Sequence, residues 1–449
     1  MLLAAGAAHA QLSVAGAPVS PPPASGTMPV RWPDVAFGAS QWLAVSGASK
    51  IQGQYFGLDG AASGAAFSVN VDAFYAQCPR VAFGGGAFLV TWHASVSATL
   101  TRVRGRLLPA GTADFDISPD GTNWEMGAAV AYGNGEWLVV WQNSATKIQA
   151  QRLSAAGAKV GGVIDIDSAA PYARDPSVAY DPASDSFLVA YAGCVGNDDC
   201  FVRAQRVKAG ALVGTPLPLD GPINAGYVPE VALDAAAGRW LVVWYRATPG
   251  ARSLEARLVS PDGTVGPRQT VSTTYASYDA NSVAWSPVSG TFAVVTHATE
   301  QDVAVELDAE GRPLNAPGLL WGPMVQAGNF NPRIAARPDE AEFFGVTSTA
   351  FANLTGQRLV TGTRLLVVDA GVPDAGHSDA GVVPDAGVQP GIDAGTNGVV
   401  DAEPHPGATA TCGCSQSSLS ALAALAALCL LSARRECARR SADALRGHR

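Results

Sequence analysis

The chain repeats one short apolar and polar pattern seven times. A Val-Ala or Ile-Ala pair recurs at Val35, Val81, Val130, Val178, Val231, Val283 and Ile334, at spacings of 46 to 53 residues. An aromatic-led apolar run follows each pair, beginning at Trp42, Phe88, Trp137, Phe187, Trp240, Phe292 and Phe343. A third segment starts at Ile51, Val103, Ile148, Val202, Leu254, Val303 and Leu354, with a Gly eight or nine residues later. A weaker fourth extended segment follows most of these.

The length of these segments, their β-branched and aromatic content, and the Gly, Asp, Asn and Pro between them predict strands. The second segment is apolar at consecutive positions, so both of its faces must be buried. The third alternates polar and apolar, as expected nearer a rim. Four short strands per unit of about 50 residues predict an all-β fold, a seven-bladed β-propeller of four-stranded blades over residues 11–368. Residues 10–19, Ala-Gln-Leu-Ser-Val-Ala-Gly-Ala-Pro-Val, match Gln-Arg-Leu-Ser-Ala-Ala-Gly-Ala-Lys-Val160 of the third repeat. The N-terminal segment is therefore expected to be the fourth strand of the last blade, closing the ring and removing an open sheet edge. Thr363 to Val368 is the competing candidate for that place.

Composition changes the picture at the ends. The net charge is −9, and charged residues make only 15 % of the chain. Such an acidic, charge-poor chain lacks the clustered Lys and Arg that nucleic acid requires. Much of the charge lies in residues 369–411, where five Asp-Ala-Gly triplets stand among prolines with no Lys or Arg. With almost no large apolar side chains, that stretch is expected to be a disordered linker. Residues 1–10 end in Ala8-His9-Ala10, a small-x-small pattern like a signal-peptidase site, and read as a signal-peptide remnant. An ordinary Ala-rich leader is the alternative. Residues 412–449 hold Cys412-Gly413-Cys414, an apolar stretch expected to be a helix, and then Arg434-Arg435 and Arg439-Arg440.

Cys motif, hydrophobic helix and basic cluster in that order resemble the MYXO-CTERM sorting tail of myxobacterial surface proteins. The resemblance implies a sorting protease as partner, processing and a lipid-type anchor at Cys412 or Cys414, and a place at the outer surface of a Gram-negative, myxobacterial cell. A plain single-span membrane anchor is the alternative; export follows from both. The third repeat, VAYGNGEWLVVWQNSATKIQAQRLSAAGAKVGG, is similar to the tandem VVW and AQR repeats of secreted bacterial adhesin-like proteins. That likeness implies extracellular use and names no ligand.

Candidate chemistry is sparse. The sequence has no HExxH, CxxC, GxSxG or phosphate-loop pattern, so no catalytic residue, metal site or cofactor is assigned. His93 and His297 follow the second strands of blades two and six and read as surface histidines at strand ends. Ser118-Pro-Asp-Gly-Thr-Asn-Trp124 resembles a shortened Asp-box, which is structural in sialidase-type propellers. Cys194 and Cys200 bracket a hairpin and are expected to form a disulfide in an exported protein. Cys78 stands alone in the sequence and reads as a buried thiol.

The link into each first strand carries an aromatic: Trp32, Tyr75, Trp124, Tyr172, Tyr227, Tyr278 and Phe330. All are expected on one face, either as a ligand-binding ring or packed between blades. The resulting functional expectation is a surface-anchored, non-catalytic binding or adhesion module for a glycan, polymer or protein. The alternative is a propeller hydrolase or lyase acting on extracellular polysaccharide.

Overall fold

The structure is a computed structural model. It describes residues 11–24, 31–47, 49–71, 75–97, 100–119, 125–143, 147–167, 172–195, 200–220, 226–248, 250–274, 281–297, 301–315, 318–322, 331–349 and 353–362, with positions 125, 126, 226, 227 and 349 described in backbone only. These residues form seven four-stranded antiparallel sheets, the seven blades of a β-propeller. Blade three shows the plan: Glu125–Gly133, Glu136–Asn143, Lys147–Ser154 and Lys159–Asp167 pair in chain order. First strands of successive blades pack against one another, and Arg333–Ala336 of blade seven packs against Asp34–Gly38 of blade one. The first strands are thus the inner ring around the axis.

The seventh sheet closes as the sequence match predicts. Gln11–Val19 pairs antiparallel with Asn353–Gly362 of the last repeat, setting Leu12 opposite Thr361 and Val14 opposite Leu359. The N-terminal strand therefore holds the fourth position, for which residues 363–368 were the other candidate. Leu12 is buried, and its N–H donates to Glu306 Oε2 of blade six at 2.8 Å.

The apolar second strands feed two interfaces each. Trp137, Val139 and Trp141 pack with Leu89 and Val103 of blade two. Leu138 and Val140 between them pack with Val178 and Val189 of blade four. Alternate side chains point to opposite neighbours, which is why the whole run is apolar. Glycine fits the blades together at the inner strands. A Cβ on Gly84 would lie 2.1 Å from the Tyr132 ring of the next blade, and one on Gly133 would lie 2.1 Å from Tyr180.

The AQR motif is structural. Gln151 Nε2 donates to the carbonyls of Arg152, Val160 and Gly161, where the outer strand shifts register. Gln205 and Gln54 repeat the arrangement, and Gln357 reaches Gly16 O of the closing strand at 2.7 Å. Arg152 pairs with Glu136 beside it at 2.7 Å. Cys194 and Cys200 face each other across their hairpin in a disulfide. Cys78 is buried and also disulfide-bonded, contrary to its reading as a lone thiol. Among the described residues no helix is long and apolar enough to cross a membrane. The leader, the Asp-Ala-Gly stretch, Cys412, Cys414 and the hydrophobic tail lie outside the described residues.

Candidate functional site: the axial channel and its mouth

Four inner strands carry the same local distortion. Register shifts fall between Gln77 and Arg80, Met126 and Ala129, Arg174 and Ser177, and Tyr227 and Glu230. In five blades the residue three before the Val-Ala pair takes a positive φ: Trp32 48°, Cys78 51°, Gly127 60°, Asp175 53° and Val228 49°. Only Gly127 does so freely; for a β-branched residue such as Val228 this backbone is strained. Conformations of this kind persist where the surroundings over-determine them, here a bulge flanked by Pro33, Pro79, Pro176 and Pro229.

The residue just before each pair faces the axis. Those residues are Asp34, Arg80, Ala129, Ser177, Glu230, Ser282 and Arg333, and all seven line one channel. Several latch adjacent blades. Asp34 Oδ2 accepts from Val81 N at 2.8 Å, Ser177 Oγ from Val231 N at 3.3 Å, and Ser282 Oγ from Ile334 N at 3.3 Å. Glu230 bolts the channel from the far side. It accepts from Arg80 Nη2 at 2.8 Å and Ser177 Oγ at 3.0 Å, and from Arg333 Nη1. Asp34 stands 4.0 Å from Arg80.

Burial alone would raise the Glu230 carboxyl, but the Arg333 and Arg80 guanidiniums outweigh it and hold the group below the usual carboxylate range. For Asp34 burial wins over the same two arginines and pushes the carboxyl up. The space along the axis is small. The mouth, where the links enter the inner strands, encloses about 50 Å³, and the polar shaft about 170 Å³.

Among the described residues the candidate aromatics do not share one layer. Trp32, three residues before its pair, lines the mouth and is only 7 % exposed, packed against Cys78. Tyr75 and Tyr172 stand six residues before theirs, at the far ends of their strands opposite Ser95 and Cys194. Tyr75 is 42 % exposed, whereas Tyr172 is half-buried and its hydroxyl accepts from Gln142 Nε2 at 3.0 Å. Tyr227 belongs to the strand Gly226–Asp234, with its side chain outside the description. Trp124, Tyr278 and Phe330 lie outside the described residues, as do residues 120–124 of the Asp-box-like segment.

The histidines correct the surface reading. The second strand of blade two continues to Ser95, so His93 is buried at 2 % exposure and pairs with Gln77 Oε1 at 3.1 Å. Burial draws its pKa down to about 4. His297 is partly buried, with Nδ1 3.1 Å from Asp302 Oδ1, and burial raises that carboxyl despite the histidine. Among the described residues no three His, Cys, Asp or Glu side chains converge as metal ligands.

The channel residues themselves escape a reading that treats the Val-Ala pairs as anchors and the link aromatics as candidates. Their signal is present: the position before the pair is polar in six of seven repeats, inside otherwise apolar strands.

No protein-family model and no curated protein matches the chain. Solved structures give distant likenesses. An α-L-arabinofuranosidase from Lactobacillus brevis is 10 % identical over 55 % of this chain and 95 % of its own, at a TM-score of 0.36. Raptor of Chaetomium thermophilum is 12 % identical over 80 % of this chain and 29 % of its own, at a TM-score of 0.48. An endo-arabinanase from Bacillus licheniformis is 10 % identical over 55 % of this chain and 100 % of its own, at a TM-score of 0.34.

Proposed function

We propose that this chain is an exported, surface-anchored propeller that binds a polymer or protein ligand at the face where the blade links open, with no chemistry of its own. The size and state of the axial space carry this reading. Pockets that enclose a small-molecule ligand measure roughly 300 to 1,000 Å³. The mouth and shaft here hold about 50 and 170 Å³. General acid and base work needs carboxyls free to exchange protons with a substrate. Glu230 is instead held by two guanidiniums, and Asp34 accepts a backbone N–H of the next blade. An open face suits a ligand larger than the channel. Strained backbone gathered around one opening fits a surface kept for binding. In this reading the 369–411 stretch is a stalk and Cys412 or Cys414 the anchored residue, after processing by a sorting protease.

A glycan array with product analysis on every bound glycan, beside pull-down from intact cells, tests the reading. Binding without turnover, with the protein accessible to protease at the cell surface, is the expected result. Turnover of a bound glycan would establish the hydrolase or lyase alternative, and absence of any glycan or protein ligand would end the binding reading.

A further inference from the structure

Asn331 stands three residues before Ile334, at the mouth of the channel, and is 6 % exposed. Its Oδ1 has no hydrogen-bond partner among the described residues. Native structures seldom leave a buried acceptor unmet, because the group has given up water for nothing in return. Arg80 and Arg333 line the same pocket. Each guanidinium has five N–H donors. Each uses one on Glu230, and the two side chains stay 20 % and 12 % accessible. The mouth therefore offers spare donors beside an unmet acceptor.

The surrounding charges cancel. Arg80 and Arg333 face Glu230 and Asp34, and Asp175 at the mouth lies 3.6 Å from the Arg174 guanidinium. An ion entering this space gains no net field to offset its lost hydration. A carboxylate or phosphate would also leave Asn331 Oδ1 unmet, since ionised oxygens only accept. An ammonium only donates and would meet two guanidiniums. A hydroxyl is neutral, donates once and accepts. At about 10 to 15 Å³ for each water-sized occupant, the mouth takes roughly three to five heavy atoms. That is an adjacent pair of hydroxyls or a hydroxymethyl group, with the remaining ring lying on the rim of Pro33, Pro79, Pro176 and Pro229.

We propose that the channel mouth is a subsite for the hydroxyl edge of a neutral sugar unit, which donates to Asn331 Oδ1 and accepts from Arg80 or Arg333. This rests on the link face being the binding face and names the ligand class there.

Calorimetric titration of the full chain with four hexasaccharides tests it: β-1,3-glucan and β-1,4-mannan (neutral), polygalacturonate (acidic) and chitosan (basic). At least one neutral hexamer is expected to bind more tightly than both charged ones. Asn331→Leu is expected to weaken that binding about tenfold, as loss of one buried hydrogen bond does. Asn331→Gln keeps a neutral amide acceptor and is expected to bind within about threefold of the parent. Thermal melts of both variants establish folding; if Asn331→Leu fails to fold, Arg333→Lys is expected to give the same weakening. Preference for a charged hexamer, unchanged affinity in the folded Asn331→Leu chain, or failure of both neutral hexamers to bind overturns the subsite. In the last case a protein captured from intact cells on the link face leaves the binding-module reading standing, whereas no ligand of either kind ends both.

Discussion

Arg80 of blade two and Glu230 of blade five, 150 residues apart in sequence, meet across the propeller axis at 2.8 Å. Arg333 of blade seven joins the same carboxylate, so one acidic side chain ties three blades together. The three side chains are largely buried, where a charge left without its partner is expensive. Glu230→Gln keeps the shape but removes the nearer of the two carboxylates, Glu230 and Asp34, that face the two guanidiniums. It is expected to lower unfolding free energy by about 3 to 5 kcal/mol, the usual cost of breaking a buried pair. Urea denaturation measures this, and a loss below about 1 kcal/mol would mean that the cluster is hydrated like a surface pair.

The histidine of blade two predicts a separate pH response. His93 has a folded pKa of about 4, drawn down by burial from an ordinary 6.5. A depressed histidine is bound neutral in the fold, so its contribution is complete above pH 6.5 and is lost as the pH falls toward 4. The difference is roughly 3 kcal/mol at about 1.4 kcal/mol for each pH unit. His93→Gln removes the titrating group while retaining a polar partner for Gln77. Denaturation at pH 7, 5 and 4 is expected to show the parent losing stability faster than the variant; parallel curves would place the proton elsewhere. The lowered Glu230 adds to the parent's loss at more acid pH, since its stability is present above the ordinary carboxylate range and falls as it protonates. Asp34 works against it, because a raised carboxyl favours the folded state as the pH drops.

Much of the fold was legible because its causes are local. Apolar runs such as Trp137 to Trp141 need two buried faces, and the Gly that follows each third segment marks a turn. Even ring closure was visible, since Gln11–Val19 carries the sequence of a displaced third-strand end and turn. The channel was not legible in the same way. Asp34, Arg80, Ser177, Glu230, Ser282 and Arg333 differ in kind, so no motif unites them, and the ring must close before Glu230 can reach its arginines. The described link aromatics fall into two groups for a geometric reason. They stand three to six residues before their pairs, and a bulge between those positions separates Trp32 at the mouth from Tyr75 and Tyr172 at the strand ends.

Blade spacing depends on missing side chains. Gly84 has ordinary backbone, but a Cβ there would lie 2.1 Å from the Tyr132 ring. Gly84→Ala is expected to destabilise by about 1 to 3 kcal/mol through overpacking. Gly162, with nothing within 4 Å, is the control, and alanine there should be neutral or slightly stabilising. If Tyr132→Gly, which removes the Cβ and the ring that the new Cβ would meet, recovers most of the Gly84→Ala loss in a double-mutant cycle, the contact is the cause. Additive losses would assign the effect to the backbone instead.

The closing strand gives the last test. Leu12 is 2 % exposed, in a cluster with Ala284, Trp321 and Phe343, and its N–H meets Glu306 beside Thr291 and Thr361. A carboxylate at position 12 would lose that apolar burial and add a second negative charge close to Glu306. Leu12→Asp is therefore expected to release the strand, because Leu12 is its one fully buried side chain and the other holds are the ladder with Asn353–Gly362 and contacts near the surface such as Ser13 Oγ to Val360 O. Release bares the edge of the last third strand, and an open edge invites pairing with another chain. Limited proteolysis should cut the variant between residues 11 and 24 at concentrations that leave the parent intact, and light scattering should show association. Val14→Asp changes a side chain that is 40 % exposed on the same strand and should behave like the parent. Equal protease resistance of Leu12→Asp and parent would show that the ring is held shut by the inner strands alone.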